Sequence, residues 1–317
     1  MRNNLGHFKY LISWVSWPWL MIICLGISAY GFSVGHPIIY FNIAYIFLIT
    51  TLIFLERWMP HEKEWLEGDG QTFANIAHTL TSKGTVQGIM IFSAALGLAE
   101  LIKPVAETGY GIWPRDWPMW AQASLGVVAA EFGLYWAHRI SHEWPLFWRL
   151  HAIHHSVRRL WVINTGRFHF MDSVWKILLG MGVLLSLGAP LEVVQWTSIV
   201  TAYVGVLTHC NVEMRFGWLD YIFATPGVHR WHHSMNLDEG DMNYGENVVI
   251  WDLLFGTYYN SESKRPPKFI GIPEYMPPLF RHQLMWPFLS QKKRAAIQAV
   301  YPDNSRTQEQ IMLAKVS

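Results

Sequence analysis

The chain has 317 residues, of which 51% are hydrophobic and only 15% are charged. Such an apolar composition, with 18 tryptophans, is unusual for a soluble enzyme and indicates a membrane protein. The formal net charge of +1 provides no overall field that would favour nucleic acid as a partner.

Long apolar segments in the N-terminal half predict transmembrane helices, because a helix needs about 20 apolar residues to cross the hydrocarbon core. Four segments approach this length, at residues 11–34, 38–55, 84–102 and 119–137. The first is too long for the core of a signal peptide and lacks an obvious cleavage pattern, so we interpret it as a retained anchor. The sequence therefore predicts about four membrane spans.

A fifth apolar region, residues 174–208, is interrupted by Gly188, Ala189 and Pro190. Each arm has about 15 to 18 residues, which suits a helical hairpin. Basic residues flank the N-terminus and the loop after the second span, so we expect the N-terminus on the cytoplasmic side. Four crossings and a paired hairpin then bring the chain back to that side, and the segments before and after the hairpin share one face.

These elements define an all-α integral membrane bundle of about four transmembrane helices plus a helical hairpin, with a cytosolic, histidine-rich cap. We expect three regions, a membrane-spanning region 1–128, a histidine-rich region 129–260 and a cytosolic, partly helical extension 261–317. His78 lies in a polar stretch before the third segment, where we expect surface placement. Cys24 and Cys210 lie far apart, so neither a disulfide framework nor a thiolate metal site is indicated.

Eight histidines form three tight clusters in region 129–260. Residues three or four apart lie on one face of a helix, so each cluster can direct its rings at one point. One ion needs about four ligands, so eight converging imidazoles indicate two metal ions. The clusters are His138 with His142, His151 with His154 and His155, and His229 with His232 and His233.

The sequences of these clusters, HRISH, HAIHH and HRWHH, are spaced around the hydrophobic hairpin and resemble the histidine boxes of the fatty acid hydroxylase and sterol desaturase superfamily. The stretch after the last box, with Asn243-Tyr244-Gly245 and a WDLLFGTY run, is also similar to that superfamily. Its members are integral-membrane oxygenases that use two irons and O2 to hydroxylate or desaturate lipids. The resemblance implies that region 129–260 is catalytic.

By the same resemblance, the eight clustered histidines are metal ligands, and His209 and His169 are further candidate ligands from the hairpin region. Glu143 follows the first box, as an acidic residue does in the alkylglycerol monooxygenase branch, and with Asn211 it is a candidate catalytic residue. A metal-bound histidine usually donates the N–H of its other ring nitrogen to a carboxylate or carbonyl. Candidates for that contact are Glu143, Asp172, Asn211, Asp220 and Asp252.

Oxygen chemistry needs two electrons, yet the sequence shows no GxGxxG nucleotide fingerprint and no CxxC pattern. We therefore expect a separate electron-transfer protein or reductase as a partner, and a lipid substrate that arrives from the bilayer. The alternatives are a membrane zinc-dependent hydrolase, although the chain has no HExxH motif, and a metal-binding or transport protein. The sequence does not distinguish hydroxylation, desaturation and ether cleavage.

Overall fold

A computed structural model describes residues 2–95, 111–261 and 264–302, without the side chains of residues 2–5 and 86–95. The chain is helical in this part, with isolated bridges in place of extended strands, which confirms the predicted all-α class. Twelve α-helices lie within the described residues. They are α1 (Arg2–Ser33), α2 (Pro37–Trp58), α3 (Thr72–Ala95), α4 (Met119–Glu143), α5 (Pro145–His155), α6 (Phe170–Ser186), α7 (Leu191–Thr208), α8 (Pro226–His232), α9 (Leu237–Gly240), α10 (Ile250–Phe255), α11 (Phe280–Met285) and α12 (Gln291–Val300).

Three of the described helices are long and apolar enough to cross a membrane. They comprise Gly6–Ser33 within α1, Pro37–Trp58, which is α2, and Leu191–Thr208, which is α7. The protein is therefore an integral membrane protein.

The third and fourth predicted spans differ from the helices observed. Helix α3 begins at Thr72, within the polar stretch before the predicted span 84–102, and residues 96–102 of that span lie outside the described residues. Helix α4 begins at Met119 as predicted and continues to Glu143. It is not among the three apolar spans, because it includes polar residues such as the buried Gln122 and Glu131.

Helices α1, α2 and α7 share the largest apolar core. Trp17 and Leu20 of α1 pack with Leu48 of α2 and Leu207 of α7, and all four side chains are nearly inaccessible to solvent. Burial of each such side chain stabilises the fold by about 1.5–3 kcal/mol. The first two helices therefore pack against one arm of the hairpin.

Helices α4 and α6 pack closely because a glycine lies between them. A Cβ atom on Gly133 would lie only 2.3 Å from the Leu179 carbonyl oxygen, so only glycine allows this approach of the two backbones. Gly180 on α6 faces the Leu134 side chain in the same contact. The pairing positions the C-terminal end of α4 beside the N-terminal end of α6.

The predicted hairpin region forms α6 and α7, two helices joined by a short turn, and each of them packs on α4. Gly188, at the turn, has a φ of +78°, a left-handed conformation that favours glycine, and Pro190 directly precedes α7. The opposite ends of the two helices, at His169 and His209, therefore lie on the side of the bundle where the histidine clusters meet. Helix α12 agrees with the partly helical tail predicted from the sequence, whose residues 303–317 lie outside the described residues.

Candidate metal centre

The ends of three helices carry the histidine clusters to one place. Helix α4 presents His138 and His142 one turn apart at its C-terminal end. Trp144, in an extended conformation, ends α4, and Pro145 starts α5 in a new direction. Helix α8 starts in the same way with Pro226, and the Thr225 hydroxyl accepts a hydrogen bond from the Val228 N–H.

The ring nitrogens gather into two groups, and within each group the ligand atoms all lie within 4.8 Å of one another. The two groups adjoin each other, because the centroids of the His155 and His233 rings lie 4.5 Å apart. Nine of the ten histidines expected from the sequence are included. The first group contains His138, His142, His151, His155 and His232, and the second contains His154, His209, His229 and His233.

The spacing of the nitrogens within each group fits shared metal ions. The His142 and His155 Nε2 atoms lie 3.1 Å apart, and His209 Nε2 lies 3.0 Å from His229 Nε2. Neighbouring nitrogens bound to one ion at about 2.1 Å lie about 3.0 to 3.4 Å apart. Three buried ring nitrogens of the first group also have no hydrogen-bond partner among the described residues, which is costly unless a cation binds them. These atoms are His138 Nε2, His151 Nε2 and His232 Nε2.

Carboxylates and carbonyls orient the rings of the first group through their other nitrogens. His151 Nδ1 donates to Asp172 Oδ2 at 2.8 Å, and His142 Nδ1 donates to Asp241 Oδ1 at 3.0 Å. Backbone carbonyls of Tyr244 and Met242 accept from His138 and His232 at 2.8 and 2.7 Å. Each contact leaves Nε2 free to bind a metal, as is usual for metal-bound histidines.

The loop that contains Tyr244 is held in turn by Asp252 on α10. The two carboxylate oxygens of Asp252 accept the backbone N–H groups of Tyr244 and Gly245 at 2.7 and 2.8 Å. A Cβ atom on Gly245 would lie 2.7 Å from the same carboxylate. The stretch after the last histidine box thus supports the carbonyl that orients His138.

Burial keeps the nine imidazoles neutral. Desolvation holds the pKa of each of these histidines below its usual value, at about 4 for His209, and nearby rings or the Lys176 ammonium lower it further. Only the neutral ring has the lone pair that binds a metal. The chain therefore presents its ligands in the metal-binding form at neutral pH.

His169, the tenth predicted ligand, is not in either group. It caps the N-terminus of α6, where its Nδ1 accepts from the Met171 N–H at 3.2 Å and its Nε2 donates to the Leu284 carbonyl at 3.2 Å. Both ring nitrogens are therefore used to attach α6 to the C-terminal segment.

Glu143 and Asn211, the two candidate catalytic residues, also make structural contacts. Glu143 accepts from Arg139 at 2.7 Å on the exposed side of α4. The buried Asn211 side chain hydrogen-bonds the backbone N–H and carbonyl of Glu62 at 2.9 and 2.8 Å, which ties the loop after α2 to the end of α7. Within the described part of the chain, neither side chain contacts a histidine ring of the two groups.

Two further expectations about supporting residues need correction. Asp220 accepts a hydrogen bond from Thr225, the residue that caps α8, and does not contact a ring directly. His78 is fully buried rather than at the surface, because α3 packs on the C-terminal segment and His78 Nε2 lies 3.0 Å from Gln283 Oε1. The sequence did not predict the contact of Asp241 with His142 or those of the Tyr244 and Met242 carbonyls. Every residue has a backbone carbonyl, so the latter two contacts leave no signal in the sequence.

A cavity of about 700 Å³ opens onto the centre from the helical bundle. It reaches His138 of the first group and His154, His209 and His229 of the second. Apolar side chains form most of its wall, for example Phe41, Ile49, Leu80, Ile163, Ile177 and Val206. Its size and lining suit a lipid chain.

Two groups of imidazoles at the end of a membrane bundle, joined to an apolar cavity, define a metal-dependent membrane enzyme that acts on lipids. A family model described as fatty acid hydroxylase matches residues 123–257. An ornithine lipid hydroxylase from Rhizobium tropici is 47% identical over 308 residues, which cover 94% of this chain and 90% of that protein. The chain therefore belongs to the fatty acid hydroxylase family, within the fatty acid hydroxylase and sterol desaturase superfamily.

More distant relatives match a shorter region. An alkylglycerol monooxygenase from Xenopus tropicalis is 28% identical over 154 residues, 48% of this chain and 33% of that protein. A fatty acid hydroxylase from Lecanicillium is 29% identical over 158 residues, 44% of this chain and 43% of that protein. No solved structure matches the chain. These relatives make the chain an O2-dependent lipid hydroxylase, an oxidoreductase.

Proposed function

We propose that this chain is a di-iron enzyme that hydroxylates an amino-acid-containing lipid of the ornithine lipid type at the cytoplasmic face of the membrane. The observation that carries the proposal is the convergence of five and four imidazoles into two adjoining groups at the inner end of an apolar cavity. The 47% identity to an ornithine lipid hydroxylase supports this class of substrate.

Iron is the metal that suits both the ligands and the reaction. Imidazole binds iron, and breaking an unactivated C–H bond needs a redox metal with O2 rather than a Lewis acid alone. The first group would hold one ion and the second group the other. When bound, the two irons supply the oxidising chemistry, and the protein supplies orientation and exclusion of water.

The roles of the surrounding residues follow from their contacts. Asp172 and Asp241 hold His151 and His142 with Nε2 directed at the first ion position. Asp252 holds the Tyr244 loop, so that the carbonyl orienting His138 does not move. We assign Asp172, Asp241 and Asp252 the role of positioning the rings. The sequence offers Asp172 and Asp252 as candidates for this role, together with Glu143, Asn211 and Asp220.

The lipid would enter laterally, because the cavity is lined by α2, α3, α6 and α7 rather than by the cap alone. Its acyl chains would occupy the apolar part, and the carbon to be hydroxylated would lie beside the histidines. Electrons would come from a separate electron-transfer protein or reductase, since the sequence carries no nucleotide or iron–sulfur motif. Four crossings plus the hairpin, with the N-terminus inside, would place the centre at the cytoplasmic face.

Neither alternative function is favoured. A zinc hydrolase and a metal transporter would each use imidazole ligands, but neither accounts for membership of a lipid hydroxylase family. The ligands also lie at the ends of α4 and α7 rather than along a path through the bundle.

Metal analysis combined with lipid analysis tests the proposal. The purified full chain should contain two irons, and with an electron donor and O2 it should convert ornithine lipid to a product heavier by one oxygen atom. The product should disappear without O2. Zinc often displaces iron in such sites, so iron loading is verified first. Activity that persists without O2 in a zinc-loaded protein would overturn the proposal.

A further inference from the structure

One ion pair interrupts the apolar wall of the cavity, next to the histidines. Lys176 Nζ on α6 lies 2.6 Å from Glu246 Oε1, and both residues line the cavity together with His138. The Lys176 side chain is only 7% exposed and that of Glu246 is 23% exposed. Burying charges in a membrane protein is costly, and such residues usually mark a functional path or site.

The carboxylate of this pair is held in place by its backbone. The N–H groups of Glu246 and Asn247 donate to the two oxygens of the buried Glu131, at 2.5 and 2.9 Å. Glu246 Oε1 lies 3.9 Å from His138 Nδ1. The pair is therefore fixed relative to the metal centre before a substrate arrives.

The pair also has unused hydrogen-bonding capacity. An ammonium group has three donors. Among the described residues, the carboxylate partner of Lys176 is Glu246, and the centroid of the Phe168 ring lies 4.9 Å from Lys176 Nζ. A carboxylate has about four acceptor positions, so Glu246 can accept from a second cation. An adjacent donor and acceptor of opposite charge complement a ligand that carries both charges.

We propose that the Lys176–Glu246 pair is the subsite that recognises the charged group of a zwitterionic lipid. Lys176 donates to a carboxylate of the lipid, and Glu246 accepts from its ammonium group. This inference rests on the proposed function and adds the residues that select the substrate. An amino-acid headgroup with a free carboxylate and a free amine satisfies both partners, whereas a fatty acid or a neutral ether lipid satisfies at most one.

The test compares two lipids in the iron-loaded, full-length enzyme. One is an ornithine lipid, and the other is its carboxyl methyl ester, which keeps the ammonium but loses the negative charge. We expect the wild type to prefer the zwitterion at least tenfold in kcat/KM. Lys176→Met should raise KM for the zwitterion and remove most of that preference. Glu246→Gln should instead reduce discrimination against a lipid whose amine is acetylated.

Controls separate recognition from structure. Lys268→Met, on the exposed surface beside Glu64, should keep the wild-type preference. Iron content and thermal stability identify variants that fail to fold, and the wild-type comparison of the two lipids does not depend on any variant. An enzyme that hydroxylates the zwitterion and its methyl ester equally well would overturn this inference alone. Absence of any O2-dependent lipid product would instead overturn the proposed function.

Discussion

His151 and Asp172 form a fully buried contact between α5 and α6, in which His151 Nδ1 donates to Asp172 Oδ2 at 2.8 Å. Asp172 also lies 3.5 Å from the Ser141 hydroxyl on α4. One carboxylate thereby joins the helix of the first histidine cluster, the helix of the second and the start of the hairpin. The same side chain therefore sets both the orientation of a proposed metal ligand and the packing of three helices of the bundle.

Replacing Asp172 should weaken metal binding without removing a ligand. Asp172→Asn keeps an acceptor but loses the charge, and Asp172→Ala loses both, so we expect iron affinity to fall about 10- to 100-fold, more for alanine. Iron retained by the purified protein after dialysis against a graded chelator measures this. Asp238→Asn, on the exposed α9, is the matched control. Wild-type retention in Asp172→Ala would contradict the positioning role.

Removing a ligand from either group should abolish iron binding and all activity. His232→Ala affects the first group and His154→Ala the second. Both proteins should still insert into the membrane, because the spans do not depend on the centre. Iron content and membrane fractionation check this, and His36→Ala, in the exposed loop between α1 and α2, should keep full iron. Full activity in either cluster variant would exclude that histidine as a ligand.

The close approach of α4 and α6 should not tolerate a methyl group. Gly133→Ala places a Cβ atom 2.3 Å from the Leu179 carbonyl oxygen, so we expect a loss of about 1–3 kcal/mol in stability and a shift of the histidines on α4. Gly182→Ala, on α6 with no atom within 4 Å of its Cβ position, should be neutral or slightly stabilising. Thermal unfolding midpoints in detergent distinguish the two. Equal unfolding midpoints for the two variants would show that α4 and α6 can move apart without a loss of stability.

His78 should make the stability of the fold depend on pH. Burial lowers the pKa of His78 to about 3, whereas an unfolded histidine titrates near its usual pKa of about 6.5. The contribution of neutral His78 to the free energy of unfolding is complete above pH 6.5. Below that pH it decreases by about 1.4 kcal/mol per pH unit, until the pH reaches the pKa of His78 in the folded protein. His78→Gln keeps a polar group near Gln283 but cannot be protonated.

The measurement is the thermal unfolding midpoint at pH 7.5, 6.5 and 5.5. The midpoint of the wild type should fall more steeply between pH 6.5 and 5.5 than that of His78→Gln. His7→Gln, on the exposed start of α1, should behave as the wild type. Parallel curves for all three proteins would show that His78 is not the residue responsible.

The sequence predicts which histidines gather because the histidine pattern is local. Histidines four apart, such as His151 and His155, fall in one group, whereas those three apart, such as His151 and His154, fall in different groups. The expectation that each cluster directs all its rings at one point is therefore wrong for the second and third clusters. Gly188 with Pro190 marks the turn of the hairpin that brings His209 to the same side. His169 shows the limit of this reasoning, since its hydrogen bond to the Leu284 carbonyl depends on a segment 115 residues away. The contacts of His138 and His232 with backbone carbonyls also cannot be predicted from residue types, because every residue has a backbone carbonyl.

Predictions based on hydropathy were less accurate for α3 and α4. The polar sequence around His78 predicted a surface position, but α11 packs on α3 and buries the His78 side chain against Gln283. Glu131 interrupts the apolar character of α4 because it binds the loop that carries Glu246. In both cases tertiary contacts bury a polar side chain and provide it with a hydrogen-bond partner, which an average of hydropathy along the sequence cannot predict.

Both HxxHH motifs end in two adjacent histidines that belong to different groups. His154 and His155 are divided between the second and first group, and His233 and His232 are divided in the same way. Because a single peptide bond joins each pair, placing an ion in one group also arranges backbone that presents ligands to the other. Metal uptake should therefore be cooperative, and a titration of the empty protein should pass from no ions to two with little of the singly loaded form.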